Sequence, residues 1–157
     1  MSHYNEVLFT DTRQETDMIF VIGPLFSGKQ DYIMQALGWS ETDFHEKAVR
    51  DVQDLAAEAA ETMESPNLPQ AGGREASLPS PLHDLQENLK SLADSLSQKE
   101  VVIATETGCG VIPLDPRERR NREAAGRLSC LLAERAETVV RACCGIPQVL
   151  KGTCPGG

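Results

Sequence analysis

The sequence predicts an α/β fold with a mainly parallel sheet, and three observations lead to this prediction. Residues 18–22, 101–105 and 138–144 form continuous, largely apolar runs, which are typical of strands buried on both faces. Helical patterns separate these runs, and strands joined through helices pair in parallel by right-handed crossovers. The chain has 157 residues, enough for a core without disulfides or metals. We therefore predict a single domain over residues 1–157.

The first predicted elements lie before residue 40. Residues 7–10 form a short strand candidate, and residues 11–17 are polar and typical of a loop. The first buried run, 18–22, then leads through a turn into a helix predicted over about 29–37. Gly38 is expected to end this helix.

One long amphipathic helix is predicted over residues 43–63, because its apolar residues recur every three or four positions. These residues are Phe44, Ala48, Val52, Leu55, Ala59 and Met63. Ser40 or Thr42 could cap the helix. The opposite face carries Asp51, Asp54, Glu58 and Glu61. We interpret that face as solvated rather than metal-binding, since like charges along a helix rarely converge on one ion.

A flexible linker or loop within the domain is predicted at residues 64–81, which hold four of the nine prolines and a glycine pair. A second amphipathic helix follows, with leucines at heptad spacing. These are Leu82, Leu85, Leu89, Leu92 and Leu96. They could form a coiled-coil seam, but two heptads favour packing on the domain's own core.

The last third of the chain alternates strands and a helix. The buried run 101–105 is followed by a loop containing glycine and proline, and then by a long helix over about 116–137 that is basic at its start. The run 138–144 is the third buried strand. A turn leads into a short final strand at 148–151.

The net charge of −9 and the pI of about 4.8 bear on the partners. An acidic protein repels phosphate backbones and anionic lipids, so neither nucleic acid nor a membrane surface is expected to bind. No apolar run approaches the roughly 20 residues of a membrane span. No secretory signal is visible at the N-terminus, and we predict a cytoplasmic protein.

The five cysteines, Cys109, Cys130, Cys143, Cys144 and Cys154, fit neither a disulfide framework nor a zinc site. Their number is odd, two are adjacent, and no C-x-x-C occurs. With only three histidines, metal ligands are scarce. We therefore predict reduced and mostly buried thiols, and no metal site.

The strongest local motif is residues 23–30, GPLFSGKQ, which match the phosphate-binding pattern G-x-x-x-x-G-K between a buried strand and a helix. Glycines permit a tight loop whose backbone N–H groups point inward, and the helix N-terminus adds positive potential where a phosphate would lie. Lys29 would neutralise charge on the β- and γ-phosphates. The alternative is a glycine-rich turn without a ligand.

One position departs from this motif. The pattern normally ends in Ser or Thr, whose hydroxyl binds Mg²⁺, whereas this chain has Gln30. An amide oxygen can coordinate Mg²⁺, but the side chain is longer. Phosphate binding could therefore survive while metal-assisted transfer weakens.

A second series of motifs follows the second buried strand. It begins with an E-x-G-x-G-x-x-P loop at residues 106–113. A helix bearing Arg119 and Arg122 follows, then an A-G-R triplet at 125–127 and a G-I-P turn at 145–147. With the loop at 23–30, this series resembles the bifunctional adenosylcobinamide kinase / adenosylcobinamide-phosphate guanylyltransferase family of cobalamin biosynthesis. The resemblance covers about residues 18–38 and 100–152, and two separated motifs agree with it in order and spacing.

The resemblance implies a P-loop (RecA-like) three-layer fold with a mainly parallel sheet, reduced in the middle. The family phosphorylates the aminopropanol side chain of cobinamide with a nucleoside triphosphate, and then transfers GMP from GTP onto that phosphate through a guanylyl-histidine. The implied cofactors are GTP or ATP and Mg²⁺, and the implied substrate is adenosylcobinamide. A homo-oligomer, commonly a trimer, is also implied.

The same resemblance implies a candidate site. Lys29 would act on the triphosphate, and Glu106 on the substrate hydroxyl or a metal, as the catalytic pair. Arg119 and Arg122 would pair with phosphates as bidentate donors. The alternative for these arginines is surface charge at a helix start. The implied nucleotide-binding residues are Gly23, Pro24, Ser27, Gly28, Lys29 and Gln30.

Residues 39–99 depart from the family's pattern, because they are predicted to form two helices and a linker with no strand. The family's histidine-bearing helix has no clear counterpart. We predict that His45 is an exposed helix residue, and His83 lies where the linker meets a helix. Three functions stay open: an active enzyme of this pathway, a non-catalytic nucleotide-binding or regulatory subunit, and an unrelated small P-loop kinase.

Overall fold

The computed structural model describes residues 16–62, 81–108 and 110–156, which form five strands and five helices. The strands are β1 (Thr16–Gly23), β2 (Ala48–Val49), β3 (Val101–Thr105), β4 (Ala136–Cys143) and β5 (Ile146–Lys151). The helices are α1 (Lys29–Leu37), α2 (Glu41–Lys47), α3 (Val52–Glu61), α4 (Pro81–Leu96) and α5 (Pro116–Arg135). The strand predicted at 7–10 and almost all of the linker predicted at 64–81 lie outside the described residues.

The strands form one sheet in the order β2-β3-β1-β4-β5. The central strand β1 pairs in parallel with both β3 and β4, so that Val21 lies between Ile103 and Val140. β2 pairs in parallel with β3, whereas β5 returns antiparallel to β4. The predicted α/β class with a mainly parallel sheet is thus confirmed. The carboxyl ends of four strands share one edge of the sheet.

Helices cover both faces of the sheet, because its strands bury side chains on both sides. On one face Phe20 packs with Leu89 of α4 and Leu128 of α5. On the other face Val21 packs with Ile33 of α1. Burying side chains of this size contributes about 1.5–3 kcal/mol each, so the two clusters hold the layers together.

The prediction of a single helix over 43–63 is wrong. α2 and α3 occupy this stretch, and between them Ala48–Val49 forms β2, opposite Val101 and Val102. The apolar spacing of three and four continues through the break, so the periodicity did not reveal it. A short strand therefore lies within residues 39–99, where none was predicted.

The other early elements agree with the sequence in all but detail. α1 has the predicted bounds and ends at Gly38, which adopts a left-handed φ of 64°. β1 already begins at Thr16, so the loop predicted at 11–17 does not extend to residue 17, and residues 11–15 lie outside the described residues. Ser40 caps α2: its hydroxyl accepts the backbone N–H of Asp43 at 3.2 Å. This pair forms a capping box, which satisfies two N–H groups at the helix start.

The leucines of α4 pack on the domain's own core, as the two-heptad length favoured. Leu89 and Leu96 are buried there, and Leu85 and Leu92 are partly buried against the same cluster. α5 follows β3 with Pro116 as its first residue. None of the helices in the described ranges combines the length and the apolar character needed to cross a bilayer.

The prediction of mostly buried thiols is wrong for the four cysteines that the structure describes. These are Cys130, Cys143, Cys144 and Cys154, and all four are exposed. Cysteine has a small side chain, so leaving it in water costs little hydrophobic free energy. Cys109 lies outside the described residues.

Candidate functional site

The loop of residues 23–30, the phosphate loop below, joins β1 to α1 at the sheet edge where the parallel strands end. Gly23 lies where no side chain fits. A Cβ there would collide with the carbonyl oxygen of Ala142 and lie 2.9 Å from Ser27 Oγ. Gly28 has a φ of 78°, in the left-handed region that favours glycine. Both glycines of the motif are therefore required by the backbone path.

The side chain of Lys29 folds back into the phosphate loop. Its Nζ donates to the carbonyl oxygens of Gly23 at 3.0 Å and Pro24 at 2.6 Å, and to Ser27 Oγ at 3.4 Å. Lys29 is only 9% exposed. The ammonium therefore lies in the mouth of the loop, held mainly by neutral acceptors.

Burial lowers the pKa of Lys29 below its ordinary value, because desolvation disfavours the charged form. The carboxylates of Asp51 and Glu106 oppose this shift, since negative charge nearby favours the ammonium. An incoming phosphate would add to that opposing effect. The pKa is lowered on balance, so the desolvation of the ammonium outweighs the attraction of the two carboxylates.

An open pocket of about 290 Å³ lies beside the phosphate loop. It is lined by Arg50 and Asp51, which follow β2, and by Ile103 and Thr105 of β3. The other lining residues belong to the phosphate loop and the start of α1: Leu25, Phe26, Ser27, Gly28, Lys29, Gln30 and Asp31. Ligands of open α/β sheets bind in this position, outside the carboxyl ends of the strands.

Asp51 brings a carboxylate into this pocket on a strained backbone. Its φ of 58° is left-handed, a conformation that Asp tolerates better than most residues. Arg50 lies close to it, with Nε 3.7 Å from Asp51 Oδ2. Two residues further along the chain, Gln53 Oε1 accepts a hydrogen bond from the backbone N–H of Thr105 at 2.9 Å, which connects this turn to the end of β3. Strain of this kind clusters at functional sites.

Gln30, which replaces the usual hydroxyl residue, faces the same pocket. Its Oε1 accepts a hydrogen bond from Arg50 Nη1 at 3.3 Å, and its Nε2 lies 3.7 Å from the sulfur of Met34. The amide oxygen therefore already has a cationic donor. A Mg²⁺ ion would have to compete with that guanidinium for it.

Glu106 lies next to the phosphate loop but is engaged by Arg141. The Glu106 backbone N–H donates to the Gly23 carbonyl at 3.0 Å, which joins the end of β3 to the loop. Its carboxylate accepts two hydrogen bonds from Arg141, at 2.8 Å from Nε and 3.1 Å from Nη2. Such a forked pair fixes the orientation of the carboxylate.

Arg119 and Arg122, predicted to pair with phosphates, hold the loop before α5. Arg119 Nη1 donates to the carbonyls of Pro113 and Leu114, and Arg122 Nη1 to that of Val111. Neither arginine belongs to the residues that line the pocket described above. In this structure they therefore order the loop after β3, and a role on phosphates stays a prediction.

The histidines are not brought to the pocket. His45 is exposed on α2, where its ring meets Phe44 edge to face at 6.3 Å between centroids. The side chains of His3 and His83 lie outside the described residues. In the part of the chain that the structure describes, no three His, Cys, Asp or Glu side chains cluster as metal ligands would.

Sequence reasoning missed Arg50, Asp51 and Arg141. The first two were absorbed into the predicted long helix, because a two-residue strand has no periodicity to detect. Arg141 could have been noticed as the one charged residue inside the third buried run. Its partner Glu106 lies 35 positions away, however, and the pattern alone did not link them.

A family model described as cobinamide kinase / cobinamide phosphate guanyltransferase matches residues 52–150. That range is well over half of the chain and includes β3, Glu106, α5 and β4. It begins after the phosphate loop and after Asp51.

A curated relative from Pseudomonas aeruginosa, the bifunctional adenosylcobalamin biosynthesis protein CobP, is 36% identical over 74 residues. These residues are 47% of this chain and 43% of the relative. The chain thus covers less than half the length of the relative that it matches.

Proposed function

Because the chain belongs to the cobinamide kinase / cobinamide phosphate guanyltransferase family, we propose that it binds a nucleoside triphosphate in the phosphate loop and phosphorylates adenosylcobinamide. The family implies a P-loop fold, and we take the sheet to be a reduced, RecA-like version of it. The cytoplasmic location and the trimeric assembly stay predictions.

The position of Lys29 carries this proposal. Its ammonium lies at the mouth of the loop, within 3.0 Å of two carbonyl oxygens that bear only partial charge. A phosphate would offer full negative charge at the same place, so the ammonium would gain a charge–charge attraction that a carbonyl dipole cannot supply. The first N–H groups of α1 have no partner within the helix and add donors for the same anion.

The proposed reaction transfers the γ-phosphoryl group to a hydroxyl of the substrate. The hydroxyl oxygen bonds to the γ-phosphorus, the bond to the β-phosphate oxygen breaks, and the hydroxyl proton passes to a carboxylate. Asp51 suits the proton acceptor, since it lines the pocket. Glu106, predicted for that role, is held by Arg141 and suits positioning of the loop instead.

Mg²⁺ would neutralise charge on the β- and γ-phosphates when bound. The oxygen donors facing the pocket include the Asp51 carboxylate and the Gln30 amide, and the latter accepts from Arg50. This set fits an ion held mainly by the nucleotide, as is usual for Mg²⁺. GMP transfer needs a nucleophile, and the exposed His45 offers no support for that second step.

A second candidate function is a nucleotide-binding subunit without catalysis. Gln30 favours it, because an amide engaged by a guanidinium is a poor replacement for a Mg²⁺-binding hydroxyl. In this case the loop would bind a triphosphate and leave it intact.

The two candidates are separated by binding and turnover measured on one sample. The full chain is titrated calorimetrically with GTP and with ATP, with and without Mg²⁺, and then incubated with adenosylcobinamide while the phosphorylated product is followed by mass spectrometry. Lys29→Ala should lose nucleotide binding. Lys99 is an exposed lysine in the turn before β3, so the matched control Lys99→Ala should keep it. Product formation supports the kinase, and binding without product supports the second candidate. No binding at millimolar nucleotide would overturn both.

A further inference from the structure

Two adjacent cysteines face solvent at the turn between β4 and β5. Cys143 ends β4 and Cys144 follows it, and their Sγ atoms lie 3.9 Å apart. Both side chains are exposed, so small reagents can reach them. Cys144 has a φ of 52° and Gly145 a φ of 76°, so the turn contains two successive left-handed residues.

This turn touches the phosphate loop directly. The backbone N–H of Gly145 donates to the Ser27 carbonyl at 2.9 Å. A Cβ placed on Gly28 would lie 3.3 Å from Gly145 Cα, which is tighter than ordinary packing. A backbone change at Cys144 would therefore occur next to a residue that is hydrogen-bonded to the loop.

We propose that Cys143 and Cys144 form a redox-active vicinal dithiol. Low-molecular-weight disulfides such as glutathione disulfide oxidise this dithiol to a disulfide. The oxidation weakens anion binding at the phosphate loop. The oxidation stands on the geometry of the turn alone. The effect on binding rests on the proposed function.

The reaction is a thiol–disulfide exchange in two steps. One cysteine thiolate attacks a sulfur of glutathione disulfide, whose S–S bond breaks and releases one glutathione, leaving a mixed disulfide on the protein. The second cysteine thiolate then attacks the protein sulfur of that mixed disulfide and releases the second glutathione. Two protein thiols are oxidised, one glutathione disulfide is reduced, and the two thiol protons end on the two released glutathione molecules.

Ring closure must move the backbone. Consecutive Cα atoms are about 3.8 Å apart, whereas Cα atoms joined by a disulfide usually lie about 4.4–6.8 Å apart. The turn has to adjust its dihedral angles to accommodate the bond, and Gly145 is the next residue along. Strained disulfides of this kind are readily reduced, as a reversible modification requires.

The test uses the full chain and, beside it, a variant in which Cys109, Cys130 and Cys154 are replaced by serine. Both are treated with glutathione disulfide and then with dithiothreitol. Intact mass and peptide mapping identify the bond, hydrogen exchange of the peptide covering 23–30 reports on the loop, and titration with inorganic triphosphate reports on anion binding. Cys143→Ser is the matched control that cannot close the ring.

We expect loss of two hydrogens located at the pair in both proteins, faster exchange at 23–30, and about five- to tenfold weaker triphosphate binding, as for one lost hydrogen bond. Dithiothreitol should restore all three readouts, and Cys143→Ser should show no ring closure and no change in exchange. A stable mixed disulfide at Cys143 or Cys144, or a bond from either of them to another cysteine, would overturn the dithiol. A closed ring with unchanged exchange would overturn the coupling. If the reduced protein fails to bind triphosphate, the proposed function fails, while mass and exchange still decide the rest.

Discussion

Arg141 of β4 donates two hydrogen bonds to the carboxylate of Glu106, at 2.8 and 3.1 Å, although the two residues are 35 positions apart in the sequence. Glu106 follows β3 and its N–H bonds to Gly23, the last residue of β1. The pair therefore joins β4 to the segment after β3 across the end of the central strand. Gly23 also accepts a hydrogen bond from Lys29 Nζ, so the pair is connected to that lysine through the Gly23 carbonyl.

Replacing Arg141 should weaken the fold more than replacing a surface arginine. Arg141→Met leaves the Glu106 carboxylate, whose side chain is 16% exposed, without its forked donor. We expect a loss of about 1–2 kcal/mol in unfolding free energy, measured by urea titration. Arg141→Lys should recover part of the loss, because it restores the charge but not the fork.

The matched control for that prediction is Arg127→Met, which removes an exposed pair with Glu123 on α5. Such pairs contribute about 0.3–0.5 kcal/mol. If the two variants lose the same free energy of unfolding, the Arg141–Glu106 pair contributes no more than an exposed ion pair and the prediction is wrong.

Triphosphate binding should weaken as the pH rises in the alkaline range. Burial lowers the pKa of Lys29, and a bound phosphate raises it again because it favours the ammonium. Between the pKa in the empty loop and that in the complex, binding therefore takes up a proton, and affinity falls with increasing pH. Calorimetry in two buffers of different ionisation enthalpy measures this uptake. The prediction is wrong if the two buffers reveal no proton uptake, or if the affinity of the wild type stays constant as the pH rises.

A methyl group at Gly23 should disrupt the loop. The added Cβ of Gly23→Ala would collide with the carbonyl of Ala142, so β4 or the loop must shift. We expect a loss of about 1–3 kcal/mol in stability together with loss of triphosphate binding. Gly126→Ala is the control, since nothing lies within 4 Å of a Cβ at that helical position. It should stabilise the protein by about 0.5–1 kcal/mol, and thermal unfolding of both variants provides the comparison.

Restoring the hydroxyl of the motif should restore a response to Mg²⁺. Gln30→Ser removes the amide that accepts from Arg50 and supplies the side chain that binds Mg²⁺ in phosphate loops. We expect the GTP affinity of this variant to rise several-fold when Mg²⁺ is added, beyond any rise in the wild type. Gln30→Ala controls for loss of the amide alone. The idea fails if serine and alanine respond to Mg²⁺ alike.

Several local features of this protein followed from the sequence. The glycines of the phosphate loop, the helix that begins at Lys29 and the buried strands β1, β3 and β4 could be predicted, because each depends on a short run of residues with its own period. The family resemblance likewise rested on motifs contained in single segments, and the match over residues 52–150 bears it out.

Other features were decided by contacts between distant segments. Ala48 and Val49 form a strand because they pair with the edge of β3, although the spacing of apolar residues around them is that of a helix. That strand brought Asp51 to the pocket, and sheet order brought Arg141 to Glu106 and the Cys144 turn to the phosphate loop. Hydrophobic periodicity records which side of an element is buried, but not which element covers it. Pairing across a sheet depends on the free energy of the assembled layers, so only the folded chain determined the composition of the site.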